Sequence, residues 1–247
     1  MPKILVSDKL SEEGLSILKK APGLQVDLKA GLTPEELKKI IGACEGLVIR
    51  SATKVTAELI AAADNLKVIG RAGIGVDNVD LPAATKKGIV VMNTPSGNAT
   101  TTAEHAIAMM FAISRQIPQA TLSIKSGKWE KGKFIGRELC NKVLGIVGVG
   151  NIGKIVADRA LGLKMKVVGF DPFLSQEAAE KMGIELVDLD QIFTRADYIT
   201  VHTPLNEKTK NLINKDAFKK MKKGIYIINC ARGGIVNEAD LVWAIQE

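Results

Sequence analysis

Three glycines, an aspartate and an arginine are the residues of this 247-residue sequence whose spacing limits their chemistry most narrowly. Gly148-Val149-Gly150-Asn151-Ile152-Gly153 follows directly on an apolar run, Leu144-Gly145-Ile146-Val147, and opens a stretch with helical periodicity over 152–161. A Gly-x-Gly-x-x-Gly match alone says little. Placed between a strand and a helix it forms an anion cradle: Gly148 permits a tight turn, Gly150 lets a pyrophosphate approach the backbone, Gly153 lets the helix pack close, and the free N–H groups of the first helical turn face the phosphates. The next apolar run, Lys166–Phe170, ends at Asp171, 18 residues beyond Gly153. A carboxylate there accepts hydrogen bonds from ribose hydroxyls and repels a 2′-phosphate, which favours NAD over NADP.

Two further apolar runs end in loops that belong at the same place, because open parallel sheets bind ligands beyond the C-terminal ends of their strands. These are Thr200-Val201-His202-Thr203-Pro204-Leu205 and Ile228-Asn229-Cys230-Ala231-Arg232-Gly233-Gly234. An arginine immediately after a buried strand can clamp a carboxylate and polarise a carbonyl. The plainer alternative is a surface arginine beside a helix start.

The elements that must position these residues follow a β–α rhythm. Strands are expected at 3–6, 24–28, 46–49, 67–70 and 89–92, with helices at 11–20, 33–42, 55–63 and 80–87 between them. Ser11 is an N-cap, and Thr33-Pro34-Glu35-Glu36 combines an N-cap, a first-turn proline and early acids. The strands are apolar without alternation, so they are buried on both faces in parallel sheets. Asn93–Asn98 is rich in turn residues and marks a boundary, giving domains 1–97 and 98–247. Beyond it, Thr101 and Glu104 can form a capping box, and the helix over 103–113 is apolar nearly all round, so burial is expected, with His105 packed or interfacial. Residues 117–137 read as a more polar connection. A second series follows with strands at 143–147, 166–170, 197–201 and 225–229 and a closing helix over 238–247. The expected fold class is therefore α/β, with two Rossmann-like, doubly wound parallel-sheet lobes.

Composition narrows the function classes. The formal net charge is +7, with 46% hydrophobic and 4% aromatic residues. The lysines are dispersed over helical stretches, which describes a solvated face rather than the focused basic stripe a nucleic-acid binder needs. Cys44, Cys140 and Cys230 are odd in number and lack a Cys-x-x-Cys pair, so no disulfide framework and no metal site are expected. No apolar run is long enough to span a membrane. A cytoplasmic, reducing compartment is the expectation.

Several long motifs occur in one order along the chain: Arg50–Val55, Gly70–Asp80, Val91–Pro95, the glycine fingerprint, Val201–Leu205 and Asn229–Val236. Together they resemble the D-isomer-specific 2-hydroxy acid dehydrogenases over the whole length. The resemblance implies a substrate-binding first lobe, an NAD-binding second lobe and a cleft between them. It implies substrate contacts from Arg50 and Ser51 and from the backbone of Gly73, Ile74, Gly75 and Val76. It implies cofactor contacts from Gly148, Gly150, Asn151, Ile152, Gly153, Asp171, Thr203, Pro204, Leu205, Cys230, Ala231 and Arg232, and gives Arg232 the catalytic, substrate-orienting role. Position 151 is often arginine in the family, so Asn151 removes a charge beside the pyrophosphate.

The resemblance also implies NAD-dependent oxidation of a 2-hydroxy acid by a homodimer. The leading substrate is 3-phosphoglycerate, which would place the reaction in serine biosynthesis. Glyoxylate, hydroxypyruvate and lactate are the alternative substrates, and a non-catalytic NAD-binding protein is the alternative of another class. Removing the hydroxyl proton calls for a histidine oriented by a carboxylate. The resemblance places that His–Glu pair beyond residue 247, so this chain is expected to be a fragment without the C-terminal elements, able to bind NAD but with negligible turnover. The cofactor reading has a direct test: Asp171→Ala should weaken NAD binding and relax discrimination against NADP in a titration of both dinucleotides, whereas unchanged affinities would remove Asp171 as the ribose reader.

Overall fold

The computed structural model describes residues 1–247, which divide into two compact units, Met1–Asn98 and Ala99–Glu247. In the first, β1 (Lys3–Val6), α1 (Glu12–Lys20), β2 (Gln25–Leu28), α2 (Pro34–Ile41), β3 (Gly46–Ile49), α3 (Ala57–Ala61), β4 (Val68–Arg71), α4 (Leu81–Lys86) and β5 (Val90–Asn93) alternate along the chain. All strand pairs are parallel, in the order β2-β1-β3-β4-β5. The order reverses between β1 and β3, and that switch point is where the connecting loops part to leave a crevice.

Local chemistry starts the helices where the sequence placed the caps. Ser11 accepts from the Gly14 amide, and Thr33 with Glu36 closes a reciprocal capping box behind Pro34. The core is aliphatic: Leu5, Leu47, Ile49 and Ile69 from the strands meet Leu37, Ile41 and Ile60 from the helices.

The second unit opens with α5 (Ala99–Ser114), α6 (Ile117–Lys125) and a 3₁₀ turn at Lys131–Lys133. Then come β6 (Val143–Val147), α7 (Asn151–Gly162), β7 (Lys166–Phe170), α8 (Gln176–Lys181), β8 (Glu185–Leu186), α9 (Leu189–Arg195), β9 (Tyr198–Val201), α10 (Lys215–Lys220), β10 (Tyr226–Asn229) and α11 (Glu238–Gln246). The sheet is again all parallel, in the order β10-β9-β6-β7-β8, with its switch point between β6 and β9. Leu144 and Ile146 of β6 lie in one core with Val156, Ala157 and Ala160 of α7 and Ala103, Ala106 and Met110 of α5.

Several expectations are corrected. The apolar helix of the second unit starts at Ala99, so Thr101 and Glu104 lie inside it and form no capping box; Glu104 instead pairs with Arg159 at 3.8 Å. Nor is that helix buried all round. Ala103, Ala106, Met110 and Ser114 face inward, while Met109, Phe111 and His105 are exposed. Its alanines let it approach α7 and Ile107 and Ile113 pack partly against the same core, while Met109 and Phe111 point outward, so apolar composition alone misjudged its burial. The stretch 117–137 is not simply a connection, since Pro118 in the first turn opens α6 after Gln116 in a left-handed conformation, φ 52°.

Tight packing of β6 on α9 depends on one glycine. A Cβ at Gly145 would stand 2.8 Å from Ile192 Cγ2 and 3.2 Å from Ala196 Cβ. Gly145→Ala should therefore cost about 1–3 kcal/mol of stability through overpacking, read as a lowered urea midpoint with an unchanged m-value; an unchanged midpoint would show that α9 moves aside freely.

Candidate active site

The second unit gathers four loops at the C-terminal edge of its sheet. The first is the glycine loop after β6. Gly148 holds φ 92°, and a Cβ there would meet the His202 carbonyl and the Thr203 amide at 2.8–3.0 Å. Gly148 therefore serves both a left-handed turn and close contact with the loop after β9. Gly153 is buried, and its missing Cβ would fall 2.1 Å from the Gly148 carbonyl oxygen, so α7 can begin where it does only without a side chain at that position. Around Gly150 nothing lies within 4 Å of a Cβ. That open cradle fits a diphosphate against the backbone. The helix start has no side-chain cap and no acidic residue in its first turn, so its positive end is uncompensated. Ile152 turns its side chain toward the core while Asn151 is exposed.

Asp171, at the end of β7, is fixed beside this loop. Its Oδ2 accepts from the Val149 amide at 2.9 Å, and its Oδ1 accepts from the Phe173 amide at 2.9 Å. Each oxygen retains a lone pair for a sugar hydroxyl. Asp171 and the glycine loop are thus one hydrogen-bonded piece.

The loops after β9 and β10 are organised by short polar side chains. Thr209 Oγ1 donates to the Pro204 carbonyl at 2.6 Å, and Asn206 Oδ1 accepts from the Lys208 and Thr209 amides, which holds Thr203–Leu205 in shape. The Asn211 amide donates to the Gly234 carbonyl at 2.7 Å and joins the two loops. Asn229 fastens the turn that carries Arg232: its Oδ1 accepts from the Ala231 amide at 3.0 Å and its Nδ2 donates to the Arg232 carbonyl at 2.8 Å. The Arg232 guanidinium donates to the Ala231 carbonyl at 2.8 Å. Cys230 packs against the main core and burial pushes its thiol up, so it contributes a protonated, packed side chain.

The remaining predicted residues lie in the first unit and gather at its own sheet edge. Arg50 and Ser51 follow β3, and Gly73–Val76 follows β4. Ile49 pairs with Arg71 across these strands, so Arg50 and Arg71 leave neighbouring strand ends. Three carbonyls of the 73–76 loop accept hydrogen bonds, Gly73 from the Thr94 amide, Ile74 from Asn93 Nδ2 and Val76 from the Val79 amide, which fixes the loop against its neighbours. A pocket of about 450 Å³ opens at the switch point of this unit, lined in part by Asp8, Lys9, Arg50, Ser51, Thr53 and Lys54.

Sequence reasoning assigned no role to Asp8, Asn78 or Asn229. Each is a short polar side chain holding a loop, and only Asn229, at i+2 and i+3 from its partners, carried a local signal.

His202 is largely buried at the end of β9. Its Nε2 lies 2.9 Å from Thr200 Oγ1, and burial pushes its pKa down to about 4.

Residues 107–247 match the family model described as D-isomer specific 2-hydroxyacid dehydrogenase, NAD binding domain. The chain is 52% identical over 244 residues to the D-3-phosphoglycerate dehydrogenase of Archaeoglobus fulgidus, covering 99% of this chain and 46% of that protein. It spans about half the length of the curated relatives it matches. Among solved structures it resembles the TT0316 protein of Thermus thermophilus, with TM-score 0.90 and 32% identity over 99% of this chain and 78% of that one. It also resembles the D-lactate dehydrogenase of Aquifex aeolicus complexed with NAD and lactic acid, with TM-score 0.89 and 27% identity over 99% and 73%.

The depressed pKa of His202 has a stability consequence. The folded protein refuses a proton that the unfolded chain accepts at its ordinary value of 6.5. Nothing is lost above that pH, and stability falls as pH drops from 6.5 toward 4, by up to about 3 kcal/mol. His202→Gln, which cannot titrate, should flatten the acid side of a Tm-against-pH curve over this window; parallel curves for the two proteins would contradict the assignment.

Proposed function

Because the chain belongs to the D-isomer-specific 2-hydroxyacid dehydrogenases, we propose that the whole protein oxidises D-3-phosphoglycerate to 3-phosphohydroxypyruvate with NAD, in serine biosynthesis. The observation that carries this reading is the open cradle at Gly150 joined to Asp171 through the Val149 amide. In the reaction NAD supplies the hydride acceptor for the substrate's C2.

The chain's own residues bind and orient. Amides at the start of α7 take the diphosphate, and Asp171 takes the adenosine ribose. Thr203–Leu205 and Cys230–Ala231 line the remainder of the dinucleotide site. Arg232 clamps the substrate carboxylate and polarises the oxygen on C2, which lowers the cost of the carbonyl that forms there. The first unit is the substrate domain: Arg50 and Ser51 meet the substrate's anionic groups, and the amides of Gly73–Val76 hold its carboxylate. Two arginines at neighbouring strand ends suit a substrate that carries a phosphate as well as a carboxylate. The general base is a group other than His202, whose burial pushes its pKa down to about 4 and makes it a weak proton acceptor.

The relatives named D-3-phosphoglycerate dehydrogenase support the choice of substrate. We place the protein in the cytoplasm; no helix is long and apolar enough to cross a membrane. Its partner in this reading is a second copy, across the exposed apolar side chains of the α5–α6 segment and the turn after it, among them Phe111, Leu122, Ile124 and Trp129.

Initial rates of NAD reduction by the whole protein decide the substrate. Oxidation of 3-phosphoglycerate at a kcat/KM at least about tenfold above that for lactate is expected, a difference within the usual range of substrate discrimination. Turnover of lactate with none of 3-phosphoglycerate would sink the assignment.

A further inference from the structure

The loop that carries Arg50 and Ser51 is fastened from two sides by side chains that neither the sequence nor the reaction has yet put to use. Asp8 follows β1 and is only 6% exposed. Its Oδ2 accepts from the Arg50 amide at 2.6 Å and the Thr53 amide at 3.2 Å, and its Oδ1 accepts from the Thr53 hydroxyl at 2.7 Å. That hydroxyl oxygen also lies 2.9 Å from Ser7 Oγ, and Ser7 is 2% exposed. On the opposite side, Asn78 Nδ2 donates to the carbonyls of Arg50 and Thr53, at 2.7 Å each. A carboxylate thus takes the amides of the loop while a carboxamide takes its carbonyls.

A carboxylate this buried is tolerated only when its lone pairs are filled. Burial pushes the Asp8 carboxyl up, but the Thr53 hydroxyl and the backbone amides of Arg50, Thr53 and Ala52 outweigh it and hold the group below the usual carboxylate range. The charge of Asp8 is therefore compensated by amide and hydroxyl donors. The Arg50 guanidinium is not drawn into the arrangement; it donates to the Lys9 carbonyl at 3.3 Å and stays beside the pocket at the switch point.

We propose that Asp8, acting with Thr53 and Asn78, positions the Arg50–Thr53 backbone so that Arg50 and Ser51 meet an anionic substrate without first having to be ordered. The inference rests on the reading of Arg50 and Ser51 as substrate contacts. A loop fixed in advance binds more tightly because the entropy of ordering it is not lost on binding. Asp8 acts through Arg50 and Ser51 and touches no substrate itself.

Steady-state kinetics of 3-phosphoglycerate oxidation by the whole protein test it. Asp8→Asn and Thr53→Val should each raise the KM for 3-phosphoglycerate about tenfold, with kcat within about twofold and NAD affinity unchanged, as expected when ground-state and transition-state binding are lost together. Thr53→Ser, which keeps the hydroxyl, should restore the KM. In an Arg50→Ala background Asp8→Asn should add little, because the two changes act through one contact. If Arg50→Ala raises the KM but Asp8→Asn and Thr53→Val do not, the positioning role is wrong and the substrate site stands. If Arg50→Ala leaves the KM unchanged, the substrate site itself is wrong and the proposal falls with it. Full additivity of Asp8→Asn and Arg50→Ala would show general loosening of the fold and would also overturn it. Should Asp8→Asn fail to fold, the contrast between Thr53→Val and Thr53→Ser carries the same decision.

Discussion

The second unit depends on how closely α7 starts behind β6. Helix and strand end are so near that even a methyl group on Gly153 would overlap the Gly148 carbonyl, at 2.1 Å. That approach turns the unpaired amides of the helix start toward the tip of the central strand, beside the point where the sheet order reverses. Move the helix outward and the amides no longer converge with the loop after β9, whose His202 and Thr203 backbone packs on Gly148. The anion cradle is therefore a packing result before it is an electrostatic one. Its partial charges are ordinary peptide groups, and the absence of a side chain is what brings them together.

Both units obey the same topological rule and use it differently. Each sheet reverses its order next to its first strand, β1 in one and β6 in the other, and the loops that follow those strands part there. In the second unit that edge carries glycines and loops that short side chains fold onto themselves: Asp171, Asn206 and Asn229 each bond backbone within three residues, and Asp171 alone of the three also reaches back, to the Val149 amide 22 positions away. In the first unit the crevice is built by polar groups that reach far along the chain, with Asp8 on residues 42 and 45 positions away and Asn78 on residues 28 and 25 positions away. A site for a large dinucleotide needs room for its backbone contacts. The proposed site for a small anion needs a few cations held still.

This difference decides what could be read from the sequence. Strand–glycine–helix–strand–acid is a local string, so the Gly148–Gly153 loop and Asp171 were legible by spacing alone, and so were the caps at Ser11 and Thr33. The inner strands were legible because burial on both faces leaves uninterrupted apolar runs, whereas the edge strands β2 and β5 prove largely exposed and the two-residue β8 was not read. The short helices α8, α9 and α10 were not, although α3 and α4, of five and six residues, were placed. The true face of α5 was hidden because apolar residues occur on both of its sides, so composition did not separate the buried Met110 from the exposed Met109. Asp8 gave no signal at all. A Ser-Asp pair after a strand reads as the start of a turn, and its significance lies with partners that only the parallel pairing of β1 with β3 brings beside it.

The distribution of charge follows from the same division. The excess of cations over acids gives +7 for the chain, yet many lysines are matched at the surface, as in Lys220 with Asp190, Lys219 with Asp216 and Lys222 with Asp197. Pairs so exposed add little to stability, and they spread the charge instead of focusing it. The carboxylates beside the proposed substrate and dinucleotide sites behave otherwise. Asp8 and Asp171 take their donors from backbone amides and a hydroxyl, not from a cation. A site that must attract an anion cannot let its own acids consume its arginines. Peptide N–H groups solve that conflict, because they compensate a carboxylate with partial charges fixed in the fold and leave the full charge of Arg50 at the edge of the pocket.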